Sequence, residues 1–142
     1  MKPPHPISKP EVLRMELGSD FSQVRPVADR VQKFLEEHGC QSEARTDCEL
    51  VLVEGCNNAI KHANANTARQ PVVVEVRVDS AEIELRITDH GPGFNWPETS
   101  NLPGPEKESG RGLYLIRALT DYAAYFRQSS QNILVLRKKR CH

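Results

Sequence analysis

Apolar residues recur along this chain with two periods, and the switches between them mark its elements. Over residues 12–17, Val12 and Leu17 flank a mixed pattern that predicts a short strand. Phe21, Val24, Ala28, Val31, Phe34 and Leu35 then recur at helical spacing. Asp20 or Ser22 is expected to open this helix, and Gly39 to end it as a left-handed cap. Pro26 fits only in the first turn, where its missing N–H costs nothing, unless the residues before it form an irregular entry turn. A second helix is predicted from Ser42 to His62 or Ala63. Glu43 lies in its first turn, where a carboxylate favours the helix dipole. Cys48, Val51, Leu52, Cys56, Ala59 and Ile60 make its apolar stripe.

The period then changes to two. Val72, Val74, Val76 and Val78 alternate, as do Ile83, Leu85 and Ile87, and Asp79-Ser80-Ala81 lies between them. Such a pair reads as an antiparallel hairpin. Between Asp89 and Gly110 the periodicity stops, and Pro92, Pro97, Pro103 and Pro105 punctuate the stretch. A loop of about twenty residues inside a compact domain is usually functional or disordered. Leu113, Ile116 and Leu119 restart a helix, and strands near residues 123–127 and 133–137 complete the pattern. Lys138 to Arg140 reads as a solvated basic end.

A length of 142 residues is that of one domain, assigned here to residues 11–140 behind a proline-rich, flexible N-terminus at residues 1–10. Nineteen basic and nineteen acidic residues give zero net charge. That balance argues against nucleic acid or an anionic membrane as the main partner, since both need a cationic surplus. No apolar run approaches the roughly 18 residues of a membrane span, and the N-terminus has no apolar core segment of a signal peptide. A cytoplasmic protein is expected. Cys40, Cys48, Cys56 and Cys141 form no C-x-x-C pair. Cys48 and Cys56, eight apart on one helix face, read as small buried hydrophobes rather than as metal or redox groups.

Three polar clusters bracket the hairpin and the loop. On the second helix, Glu54, Asn58 and Lys61 or His62 are three to four residues apart and stack along one face, beside Asn57. Asp89-His90-Gly91-Pro92-Gly93-Phe94 follows a strand. There an aspartate offers two acceptor oxygens at the edge of the core, and glycines let the backbone approach a ligand closely. Ser109-Gly110-Arg111-Gly112-Leu113 opens a helix, so its backbone N–H groups suit a phosphate. No Walker A loop and no G-x-G-x-x-G fingerprint is present. Each cluster alone is a weak signal; their order and spacing form the stronger one.

That composite resembles the N, G1 and G2 boxes of the GHKL ATP-binding superfamily over residues 42–137. Within it, the small bacterial anti-sigma-factor serine kinases are the nearest match. Glu54-Gly-Cys-Asn-Asn-Ala-Ile-Lys-His62 resembles their E-x-x-x-N-A-x-x-H, and Gly110-Arg-Gly-Leu-Tyr-Leu-Ile116 with Leu119-Thr-Asp121 resembles their G2 segment. The resemblance implies the Bergerat ATP-binding fold: a two-layer α/β sandwich with a mixed, largely antiparallel sheet and helices on one face. It implies ATP and Mg²⁺ as ligands. Asp89 would accept a hydrogen bond from the adenine amino group. Asn58 would hold Mg²⁺ through its side-chain oxygen. Gly91 and Gly93 would pass close to the base, and Gly110, Gly112 and Leu113 would lie at the phosphates. Lys107 and Arg111, on a lid, would meet the terminal phosphates, and Glu54 would be the general base. His62 matches the family histidine, with a helix-end role equally open. The family usually carries Gly-Thr before its last strand; this chain has Ser129-Ser130-Gln131-Asn132, with Asn132 as the candidate polar substitute.

The implied activity is that of an ATP-dependent serine-protein kinase and anti-sigma factor. It would bind a sigma factor and phosphorylate a serine of a STAS-type anti-anti-sigma partner. The family commonly dimerises through the amino-terminal part of its sheet, which marks residues 12–17 as a candidate interface strand. Two alternatives stay open. Asn58 to His62 also resembles a histidine-kinase ATPase domain, although residues 1–18 are too few for a dimerisation helix pair. The altered Gly-Thr position suits a nucleotide-gated binding module with little kinase activity.

Overall fold

The computed structural model describes residues 9–63, 69–93 and 111–140. Most of the N-terminal segment expected to be flexible, and most of the loop after Gly93, lie outside the described residues. The elements run β1 (Glu11–Leu17), a 3₁₀ turn (Phe21–Gln23), α1 (Val24–Glu37), α2 (Ser42–Lys61), β2 (Val72–Val78), β3 (Glu82–Asp89), α3 (Arg111–Leu119), β4 (Tyr122–Gln128) and β5 (Gln131–Lys139). The strands form one sheet in the order β1-β2-β3-β5-β4. Every strand pair among the described residues is antiparallel, so the parallel component of the expected mixed sheet is not found there.

Local chemistry explains the boundaries. Asp20 does not open α1; its carboxylate accepts from Ser22 N at 2.9 Å and caps the 3₁₀ turn instead. That turn leaves Phe21 exposed, outside the apolar stripe in which its spacing put it. Pro26 falls in the first turn of α1, where it breaks no helical hydrogen bond. At the other end Gly39 has φ +77, Gly39 N donates to Glu36 O and Cys40 N donates to Leu35 O. This is a Schellman cap, and it turns the chain directly into α2.

The three helices among the described residues lie on one face of the sheet. Period-two alternation sends Val72, Val74, Val76, Val78, Ile83, Leu85, Ile87, Leu134 and Leu136 toward them, and all are buried. α2 lies against the sheet and carries α1 and α3 on its flanks. Cys48 and Cys56 are free, buried thiols, and burial pushes both up to about 12. They therefore serve as core hydrophobes and not as thiolate nucleophiles. Of the basic run Lys138 to Arg140 only Lys139 is exposed; the other two are tied into the fold. Lys138 Nζ pairs with Asp47 at 2.9 Å and donates to Leu119 O at 3.0 Å, tying the end of α3 to α2. Arg140 donates to Asp79 O and His38 O, joining the hairpin turn to the α1 cap. On the sheet's other face, the fully buried Glu84 pairs with Arg137 at 2.7 Å and with Arg86 at 2.5 Å.

Gly55 sets how closely α2 approaches the sheet. A Cβ there would overlap Ile87 Cδ1 and lie 3.2 Å from Leu134 Cδ2. Ile87 can swing its terminal methyl away from a single Cβ, but not from a branched side chain. Gly55→Val is therefore expected to destabilise the fold by about 2 kcal/mol, as overpacking does. Urea unfolding checks this: a lower midpoint at unchanged slope is expected, and an unchanged midpoint would refute the close-approach reading.

Candidate functional site

The three polar clusters come from distant parts of the chain, and α2 is the element that gathers them. With Gly55, Cys56 and Ala59 turned to the core, the α-helical period leaves Glu54 and Asn58 half-buried along its flank, one turn apart. α3 packs against that flank through its first turn. A Cβ on Gly112 would collide with the Glu54 carboxylate, lying 3.3 Å from its Cδ, and would stand 3.9 Å from Asn58 Nδ2. The backbone of α3 thus approaches Glu54 so closely that its carboxylate would have to swing aside for any larger residue at position 112, and it lies in ordinary van der Waals range of Asn58. Leu113, the next residue, is half-buried, and Ile116 one turn on is fully buried and anchors α3.

At its C-terminal end α2 meets the second cluster. His62 is its C-cap, with its backbone N donating to Asn58 O at 3.0 Å. The His62 carbonyl faces Gly91: a Cβ on Gly91 would be 2.9 Å from that oxygen. Gly91 is buried, so the turn after β3 is pressed between the helix end and the sheet edge. Asp89 ends β3 on the helix-facing side, in register with Asn132 of β5. Its Oδ1 accepts from Gly91 N at 2.9 Å and from Asn132 Nδ2 at 2.8 Å. Its Oδ2 has no partner among the described residues. Gly93 has φ +83, and a Cβ there would be 2.8 Å from Arg127 Nη1 and 2.9 Å from Asn132 Oδ1.

Of the residues singled out in the sequence, Glu54, Asn58, His62, Asp89, Gly91, Gly93, Gly112 and Leu113 therefore line one side of the sandwich around the end of α2. Lys107, Gly110 and the side chain of Arg111 lie outside the described residues. Sequence reasoning missed Arg127 and assigned Asn132 no partner. A signal existed for both. Asn132 continues the inward alternation of Leu134 and Leu136, and Arg127 continues that of Ala123 and Tyr125. The buried Asn132 needs a hydrogen-bonding reason to be in that register, and the exposed Arg127 opposite it is the cation that supplies one.

The arrangement fits an adenine nucleotide. At one end is a carboxylate with one saturated oxygen and one that has no partner among the described residues; at the other, the first turn of α3 lies beside the Glu54 carboxylate and the side-chain amide of Asn58. Both ends have glycines where a side chain would block approach.

Comparisons with known proteins agree with this geometry. A family model described as a histidine kinase-like ATPase domain matches residues 17–138. The chain is 25% identical to the serine-protein kinase RsbW of Staphylococcus aureus, over 89% of this chain and 86% of that protein. Among solved structures, the RsbU and RsbW domains of Rv1364c from Mycobacterium tuberculosis superpose with a TM-score of 0.70 at 18% identity, covering 90% of this chain and 32% of that one. A chain of the SiaB–SiaC complex from Pseudomonas aeruginosa superposes with a TM-score of 0.61 at 14% identity, covering 89% of each. These last two likenesses are of fold.

Proposed function

We propose that this chain, which belongs to the histidine kinase-like ATPase domain family, is an ATP-dependent serine-protein kinase that acts as an anti-sigma factor in a partner-switching pathway. The observation that carries the reading is the seat of Gly112 against Glu54 and Asn58, at the opposite end of the site from the open oxygen of Asp89. The similarity to RsbW supports the protein substrate and the serine acceptor. The partners would be a sigma factor and a STAS-domain protein that carries the acceptor serine.

In this reading Asp89 Oδ2 accepts the adenine amino N–H. Gly91 and Gly93 admit the base, and the N–H groups of Gly112 and Leu113 in the first turn of α3, with that of Gly110, receive the phosphates. Asn58 offers a side-chain oxygen, a hard donor of the kind Mg²⁺ takes, and the ion supplies charge neutralisation at the phosphates. Lys107 and Arg111, the latter the first residue of α3, add positive charge at the terminal phosphates. Glu54 takes the proton of the serine hydroxyl as its oxygen forms a bond to the γ-phosphorus. The bond from that phosphorus to the β–γ bridging oxygen breaks, and ADP leaves with the electron pair. Phosphoryl transfer asks mainly for positioning and charge stabilisation, which this set supplies.

The test is incubation with γ-labelled ATP, Mg²⁺ and a STAS-domain protein. Acid-stable label on a serine of that protein supports the reading. Acid-labile label on a histidine would favour a detached histidine-kinase ATPase domain. Tight nucleotide binding without transfer would favour a nucleotide-gated binding module.

A further inference from the structure

We propose that Asn132, clamped by Arg127, is a positioning residue for base selection. It fixes the Asp89 carboxylate so that a single oxygen is offered to the ligand. The inference rests on the reading of Asp89 as the adenine acceptor.

Asn132 is fully buried, and both of its amide hydrogens are directed at the end of β3 and the turn after it. Nδ2 donates to Asp89 Oδ1 at 2.8 Å and to Gly91 O at 2.9 Å, which uses both of its hydrogens. Oδ1 accepts from Arg127 Nη1, which also donates to Gly91 O at 3.1 Å. The orientation of the amide is fixed by chemistry. A carboxylate and a carbonyl only accept, and a guanidinium only donates, so a flipped amide would oppose all of its neighbours. Arg127, Asn132 and Asp89 stand in one row across β4, β5 and β3, so the sheet itself sets the ring's dimensions.

The ring leaves Asn132 no donor with which to read a base directly. Its effect passes through Asp89. With Oδ1 saturated by Gly91 N and Asn132, the carboxylate cannot rotate without breaking two hydrogen bonds, and Oδ2 is left as an acceptor-only group. A ligand must bring an N–H to that point. The 6-amino group of adenine does so, whereas the 6-oxo group of hypoxanthine or guanine sets oxygen against oxygen. The same ring presses on Gly93, so loop and carboxylate are held together.

The measurement is the dissociation constant of ATP and of ITP, which differ at the 6-position, for wild type, Asn132→Leu and Arg127→Met. Wild type is expected to favour ATP by about 100-fold or more, as sites built to hydrogen-bond a group reject analogues that lack it. Asn132→Leu, close in size, should weaken ATP about 30-fold and ITP less than about threefold, a loss confined to the hydrogen-bonded base. Arg127→Met should give the same selective loss at about fivefold. Arg127 is exposed, so this variant reads the ring even if Asn132→Leu fails to fold. An unchanged ATP-to-ITP ratio in the folded variants, whether both affinities fall together or neither does, overturns the inference and leaves the Asp89 reading intact. A wild type that does not distinguish ATP from ITP overturns both.

Discussion

Glu54→Gln is expected to slow phosphoryl transfer about 10²–10⁴-fold, the usual contribution of a positioned general base. ATP affinity should stay within about threefold of wild type, since the base contributes to the transition state and not to ground-state binding. Glutamine is the informative replacement. It keeps the length of the side chain, its helix propensity and its fit beside the Gly112 backbone, while removing the capacity to take a proton. Alanine would open space against α3 and mix a packing defect with the chemical one. Single-turnover transfer from labelled ATP and equilibrium nucleotide binding, measured on one preparation, separate the two effects. Transfer at the wild-type rate in Glu54→Gln would remove Glu54 from the base role.

Asp89→Asn should weaken ATP about 100-fold, the scale on which a buried site loses a charge-assisted hydrogen bond and gains a mismatched donor. The logic follows from the two carboxylate oxygens. Oδ1 receives Gly91 N and Asn132 Nδ2, so an asparagine at position 89 must keep its carbonyl there. Its NH₂ then takes the place of Oδ2 and opposes the adenine amino group, donor against donor. The same NH₂ suits a 6-oxo purine, so ITP should bind better than ATP. The internal hydrogen bonds survive, and the melting temperature should change little. Competition binding with the two nucleotides checks the reversal; ATP bound within threefold of wild type would move the base away from Asp89.

Much of this site is legible in the sequence because its key residues sit where local patterns change. Glu54 and Asn58 share a helix face by spacing alone, Asp89 ends an alternating strand, and Gly112 begins a helix. The residues hardest to read are those whose partners lie far along the chain. Gly55 is an unfavourable helix residue by propensity, and its reason is the close seat of α2 on Ile87 and Leu134. Asn132 looked like a substitute ligand group; its hydrogen bonds show an internal strut, with every donor already used. Ser129 and Ser130 both take left-handed φ, 52° and 65°, in the β4–β5 turn, with none of the glycine or asparagine that usually signals it. Lys138 and Arg140 looked like a solvated end because charge runs usually are, and their partners are 19 to 102 residues away.

By itself the sequence determined most of the elements, the inward faces of the β2 and β3 strands and the family resemblance. These follow from period, capping and turn chemistry, all of which act over a few residues. Only the tertiary structure decided that the described sheet is antiparallel throughout and that α3 touches Glu54. It also decided that Asp89 has one committed oxygen and one without a partner among the described residues. Those facts depend on register and on the distance between packed surfaces, which the chain sets only when elements from residues 54, 89, 112, 127 and 132 meet.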